Sequence, residues 1–168
     1  MLVITGGMGA GKTSVLAEAS DLLAMRRTPH AAIDVDALGI GFLPSGASTD
    51  EVMYSNLQSV CGNYAAAGVQ RFVLARALED GQQLETCRQA VSATDIIVCR
   101  LISSIETMKQ RIQVRENGIL QQEYFVRATS LDAILDRARL ENFAVMNENR
   151  SLTDVAVEML TKAGWISN

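Results

Sequence analysis

The stretch LVITGGMGAGKTSV, residues 2–15, decides how the rest of the chain is read. Its apolar start, Leu2 to Ile4, is continuous in the way of a strand buried on both faces. A glycine-rich turn follows, and then Lys12, Thr13 and Ser14. The spacing Gly6-x-x-x-x-Gly11-Lys12-Thr13 is the P-loop signature, whose chemistry is phosphate binding. Along Gly6, Gly7, Met8, Gly9, Ala10 and Gly11 the missing side chains let backbone N–H groups converge on one hollow. The helix that opens at Lys12 adds the positive end of its dipole. Lys12 then reaches the outer phosphates, Ser14 lies in the same first turn, and the Thr13 hydroxyl is a ligand for Mg²⁺. Composition alone produces this pattern on the order of once in two hundred chains of this length. Here it falls between a strand and a helix, the context the chemistry needs.

Outward from that stretch, strand and helix patterns alternate about five times. Val15, Leu16, Ala19, Leu22 and Leu23 recur at helical spacing over residues 12–26, and Pro29 closes that segment. AAIDV, residues 31–35, reads as a second strand, VQRFVLA (69–75) as a third, DIIVCRLI (95–102) as a fourth and FAVMN (143–147) as a fifth. Between them, Ser48-x-x-Glu51, Asp80 with Gln83, Ser103-x-x-Glu106 and Ser151-x-x-Asp154 have the form of helix starts. Asn117-Gly118 reads as a helix end, residues 119–129 as an irregular segment and Leu131 to Glu141 as a helix. Connections of this length exclude hairpins and predict an α/β fold, a parallel sheet covered by helices on both faces. With 168 residues, one domain over 1–168 is expected.

Ligands of such sheets bind beyond the carboxyl ends of the strands, where Asp34, Asp36 and Arg76 fall. On a continued strand the two carboxylates point the same way. Asp34 is then a candidate to hold a water on Mg²⁺, and Asp36 to accept the proton of an attacking hydroxyl. Turn capping is the competing reading for both. Arg111 and Arg115, four apart, share one helical face, and Arg127 follows in the irregular segment where a closing lid would lie. Such guanidiniums stack on a base or fork onto phosphate, and a solvated face is the plainer alternative. Tyr54, Asn56, Asn63 and Tyr64 either line an acceptor pocket or pack, while Met53, Met108 and Trp165 read as core. His30, the one histidine, reads as a turn residue.

The bulk properties narrow the partners. A net charge of −4, with no clustered basic run, disfavours nucleic acid. Cys61, Cys87 and Cys99 share no metal-like spacing and read as buried thiols of a reducing compartment. No apolar run approaches the ~18 residues that span a bilayer. A first strand beginning at residue 2 leaves no leader ahead of it, so a cytoplasmic location is expected.

GGMGAGKT (6–13), DVD (34–36), MKQRIQVRE (108–116) and ENRSLTDVAVEML (148–160) together resemble the small P-loop kinases that phosphorylate metabolites, nucleotides or antibiotics. The resemblance is nearest to adenylylsulfate kinases and chloramphenicol phosphotransferases, with shikimate and gluconate kinases more distant. It implies a three-layer P-loop fold of five strands in the order 2-3-1-4-5, a short lid about residues 117–130, ATP with Mg²⁺, and transfer of the γ-phosphate to a hydroxyl of a small acceptor. It implies that Lys12 and Asp36 serve the transfer, that Arg115 or Arg127 touches the phosphates, and that Asp36 contacts or deprotonates the acceptor. Arg111 would stack on adenine, with Asn147 to Arg150 bordering the base and Thr13 and Asp34 holding the metal. LARALED (74–80) stands where many relatives carry a glycine-rich turn, a departure on the acceptor side. A regulatory ATPase and a polynucleotide 5′-hydroxyl kinase use the same parts and are the alternatives.

Overall fold

Five short apolar runs form the strands, and the computed structural model describes residues 1–44, 48–115, 118 and 121–167. In chain order the elements are β1 (Leu2–Gly6), α1 (Lys12–Met25), β2 (Ala31–Asp34), a 3₁₀ turn (Asp36–Gly39), α2 (Thr49–Ala66), β3 (Phe72–Ala75), α3 (Gly81–Val91), β4 (Ile97–Ile102), α4 (Ile105–Arg115), α5 (Gln121–Ala138), β5 (Phe143–Met146) and α6 (Leu152–Lys162). The strands pair in the order β2-β3-β1-β4-β5 and every pairing is parallel. The parallel sheet is what the alternation of strands and helices predicts, and the strand order is the one that the resemblance to the small P-loop kinases implies.

Alternation along each strand divides the interior into two cores. Leu2, Ile4, Val73, Ala75, Cys99 and Leu101 face α1 and α6. Val3, Leu74 and Val98 face the other way, toward Met53, Leu57 and Cys61 of α2 and Cys87 of α3. The apolar stripe of α6, Val155, Ala156, Met159 and Leu160, is buried, whereas Leu152 at its start is exposed. Trp165 packs against the first core beneath the Arg71 guanidinium, 6.0 Å from the ring centre. Met53 and Met108 are core residues, and all three cysteines are buried and reduced.

Several boundaries differ from expectation, and three of the differences have a visible cause. The third strand starts at Phe72, because residues 68 and 69 are spent closing α2: the Gly68 and Val69 amides donate to Ala65 and Tyr64 carbonyls. The cap of α4 is Ser104, whose Oγ accepts the Thr107 amide at 3.2 Å, and not Ser103. Ser103 instead donates to the Asn147 carbonyl across the sheet edge at 2.8 Å. The segment read as irregular is helical from Gln121, because Ala128, Leu131 and Leu135 bury one face of α5. Asn117, expected to end a helix, lies outside the described residues, as does part of the proposed lid.

Arg100 explains how α5 is held. It lies on β4 with a side chain only 7% exposed, and it meets Asp132 at 2.9 Å and Asp136 at 2.7 Å. Glu141 adds a third carboxylate at 3.9 Å. A guanidinium on an interior strand needs such partners to remain charged. Burial opposes its charge, but the hydrogen bonds and attraction of these aspartates raise its pKa overall.

Candidate functional site

The register aligns Ile4, Ala75 and Asp34 in one row across β1, β3 and β2. Residues just beyond that row, Gly6, Arg76 and Asp36, therefore emerge from the same edge of the sheet. A cleft of about 540 Å³ opens there, between the glycine-rich loop, the chain after β2, the chain after β3, and α4 and α5. Its size lies within the range of ligand pockets.

The loop from Gly6 to Gly11 is fastened from below. Its Ala10 carbonyl accepts the Asn147 side-chain amide at 2.7 Å. Arg111 donates to the Gly9 and Ala10 carbonyls at 3.3 and 3.4 Å, to Ser103 Oγ at 3.2 Å and to the Asn147 carbonyl at 2.8 Å. Gly9, at φ +84, lies so close to α4 that a Cβ would stand 2.5 Å from the Met108 carbonyl oxygen. The loop can descend onto α4 only without side chains at these points.

The N-terminus of α1 is then left open. Serine or aspartate caps α2, α3 and α6, and Ser104 caps α4. Gly11 caps α1 in the left-handed region with no side chain to accept its amides. Those N–H groups and the helix dipole face the cleft, an arrangement that suits an anion. Lys12 lies across the loop, its Nζ donating to the Gly6 and Gly7 carbonyls at 3.0 and 3.1 Å. Burial lowers the Lys12 pKa, and attraction to Asp36 and Asp34 partly offsets this.

Beside the loop, Thr13 Oγ1 donates to Asp34 Oδ2 at 2.6 Å. A hydroxyl and a carboxylate so placed are two hard oxygen donors, the ligand type that Mg²⁺ takes. Asp34 also accepts the Asp36 amide at 3.2 Å. Val35 has helical dihedrals, so β2 ends at Asp34 and Asp36 opens a 3₁₀ turn. Both carboxylates reach the cleft, but through a turn and not through strand alternation.

The far wall is built from ion pairs. Arg76 binds Asp36 and lies 3.6 Å from Asp50 at the start of α2. Burial disfavours its charge, yet the Asp36 hydrogen bond and attraction raise the Arg76 pKa overall. Its Nε is buried without a partner among the described residues, as is the nearby Tyr54 hydroxyl. Burial and the neighbouring Cys87 push Tyr54 up to about 12. Across the cleft Arg127 of α5 pairs with Glu79, in the loop after β3. Arg115 also lines the cleft, near enough to Lys12 to lower its pKa.

The cleft therefore gathers Met8, Lys12, Thr13, Ser14, Asp34, Asp36, Arg115 and Arg127. Arg111 lies beneath the loop. Arg150 lies elsewhere, paired with Glu158 at 2.5 Å beside α6. Asn56 donates to the Leu38 carbonyl, Asn63 and Tyr64 are exposed on α2, and His30 joins Ser20 to the turn after α1. Glu79 and Asp50 were not singled out in the sequence, where neither belongs to a motif. The departure LARALED was the only signal pointing toward Glu79.

No family model and no curated protein matches the chain. Solved structures do. Shikimate kinase from Acinetobacter baumannii, in complex with shikimate, is 19% identical with a TM-score of 0.63, covering 96% of this chain and 91% of that one. A gluconokinase from Sinorhizobium meliloti is 17% identical at a TM-score of 0.62, covering 97% and 90%. The Mycobacterium tuberculosis APS kinase, in complex with AMPPNP and APS, is 16% identical at 0.61, covering 97% and 96%. The chain thus has the fold of the small P-loop kinases over nearly its whole length.

Proposed function

We propose that this chain is an ATP-dependent phosphotransferase that moves the γ-phosphate to a hydroxyl of a small acceptor. One observation carries the reading: an uncapped α1 N-terminus under Lys12 shares a cleft with Asp34 and Asp36. The structural likeness to kinases of shikimate and gluconate supports it. In this reading the chain is one unit, with α5 in the place of the lid.

The phosphates lie along the loop amides, with Lys12 and Arg115 meeting their charge. Thr13 and Asp34 fit a Mg²⁺ ion by the chemistry of their oxygens, and such an ion would supply neutralisation of phosphate charge. Asp36, held in place by Arg76, orients the acceptor hydroxyl and takes its proton as the oxygen attacks. Arg127 reaches the transferred phosphate when it leaves Glu79. Arg111 braces the loop from below through the Gly9 and Ala10 carbonyls, and stacking on adenine is the role that the resemblance gives it.

The hydrolytic alternative commonly places an acidic pair at the end of the strand beside β1. Here β3 ends in Ala75 followed by Arg76, which favours transfer to an acceptor. The test joins calorimetry with a non-hydrolysable ATP analogue to a coupled ADP assay over hydroxylated acceptors. Lys12→Ala is expected to lose nucleotide binding. Asp36→Asn is expected to keep it while kcat falls ~10²–10⁴-fold. Rapid ADP release without any acceptor, unaffected by Asp36→Asn, refutes the proposal.

A further inference from the structure

The phosphotransfer reading leaves the acceptor open, and the charges of the far wall narrow it. The chain has 15 lysines and arginines, and every one lies among the described residues. Four reach the cleft: Lys12, Arg76, Arg115 and Arg127. Lys12 lies on the phosphate loop, and Arg115 is close enough to shift its pKa, so both serve the nucleotide side. That leaves Arg76 and Arg127 on the acceptor wall, and when Arg127 turns to the transferred phosphate the Glu79 that held it stays behind on that wall.

Both are already engaged by carboxylates. Arg76 is shared between Asp36 and Asp50, and Arg127 is held by Glu79. Among the described residues three carboxylates thus flank these two guanidiniums, Asp36 and Glu79 lining the cleft and Asp50 beside Arg76, a local net charge of −1. An acceptor carboxylate or phosphate entering here would have to displace one carboxylate and lie beside it unscreened. A neutral or cationic hydroxyl compound meets no such cost. Ala77, Ile40 and Leu131 supply apolar surface for the carbon skeleton of such a molecule.

We propose that the acceptor is a hydroxyl compound carrying no anionic group, a polyol or an amino alcohol, and that Glu79 is the residue that enforces this. The proposal rests on the phosphotransfer reading. It makes Glu79 a specificity determinant in a loop where no motif marks it. Asp50 acts in the same sense through Arg76.

The experiment uses the full chain with Mg·ATP and matched acceptor sets that differ only in charge: sorbitol, glucamine and gluconate, then glucose, glucosamine and glucuronate. ADP release and ³¹P spectra of the product report transfer. The expected result is transfer to neutral or amino members, with kcat/KM exceeding that of the acid by roughly tenfold or more, the scale of a partly screened like-charge contact. Glu79→Gln is expected to narrow that ratio through the KM of the acid. Asp50→Asn, a second variant should the first fold poorly in a thermal melt, moves it the same way. Preference for the acids, or a ratio indifferent to both variants, overturns the charge rule and leaves the kinase reading standing. No phosphorylated product from any class, with ATP still bound in calorimetry, overturns the kinase reading and this proposal with it.

Discussion

Gly9→Ala is the most direct test of how the phosphate loop is seated. At φ +84 an alanine lies in the left-handed region, which costs ~1–2 kcal/mol. Its Cβ would stand 2.5 Å from the Met108 carbonyl oxygen and 3.0 Å from the Met108 Cα, both backbone atoms of α4 that have no rotamer to turn away. Forcing them apart adds a further ~1–3 kcal/mol. The sum, roughly 2–5 kcal/mol, lies below the ~5–15 kcal/mol of a typical domain, so the variant folds. Each kcal/mol lowers Tm by about 2–4 °C at this chain length, giving a fall of ~4–20 °C by calorimetry. A loop lifted off α4 also turns its amides away from the phosphates. Titration with a non-hydrolysable ATP analogue should show Kd raised roughly tenfold or more, since small misplacements of this kind are costly. Gly62→Ala is the control. It lies within α2 with nothing inside 4 Å of a new Cβ, so it should stabilise by ~0.5–1 kcal/mol. A Gly9→Ala protein that melts and binds as wild type refutes the seating described here.

Two further perturbations follow from the hydrogen bonds and ion pairs of the carboxylates. Hydrogen bonds from Thr107 and Ser104 hold the Glu148 carboxyl below its ordinary value of 4.5. A depressed carboxyl contributes stability that is present above the ordinary value and lost as pH falls through the folded one. The Tm gap between wild type and Glu148→Gln should therefore stay level from neutrality down to about pH 5 and close below 4.5; a gap that widens on acidification contradicts the assignment. Arg100→Met should destabilise by about 1–3 kcal/mol in urea melts. The figure is less than the ~3–5 of a fully buried pair, because Asp132, Asp136 and Glu141 each keep a quarter or more of their side-chain exposure. An Arg100→Met protein as stable as wild type contradicts the anchoring of α5.

What could be read from the sequence was whatever is local in the chain. The caps Ser48, Asp80 and Ser151 act three residues away, and the structure has each accepting the amide expected of it. The phosphate loop is likewise one unbroken stretch. Where two candidates stood side by side the choice failed: Ser103 and Ser104 both precede α4, and only the arrival of β5 decides that Ser103 turns to Asn147. Helix α5 was legible in part. Its buried Ala128, Leu131 and Leu135 follow helical spacing, but Gln, Glu and Ser around them dilute the stripe. The bracing by Arg111 joins residues about a hundred positions apart, so no local pattern encodes it. Glu79 was hidden for the same reason, since its meaning comes from Arg127, 48 residues later.

These contacts show that the two halves of the cleft are built on different terms. The nucleotide half is backbone held by buried or partly buried groups: Asn147 is 2% exposed, and Arg111 fills the space beneath Gly9 and Ala10. Losing such a contact strands a buried carbonyl, at ~1–3 kcal/mol each, so that half keeps its shape whatever binds. The acceptor half is side chain against side chain. Arg127 and Glu79 are 43% and 28% exposed, in the regime where an ion pair contributes ~0–1 kcal/mol and exchanges readily. Helix α5 thus has a firm attachment near Asp132 and Asp136 and a weak one at Arg127. In the proposed reading the transferred phosphate of the nucleotide need overcome only the weak one, and Glu79 is then left unpaired toward the acceptor. The firm half carries the motif, and this is why the motif speaks for phosphate binding and is silent on an acceptor. The exchangeable half carries none, and under the proposal made here its charge balance selects the acceptor.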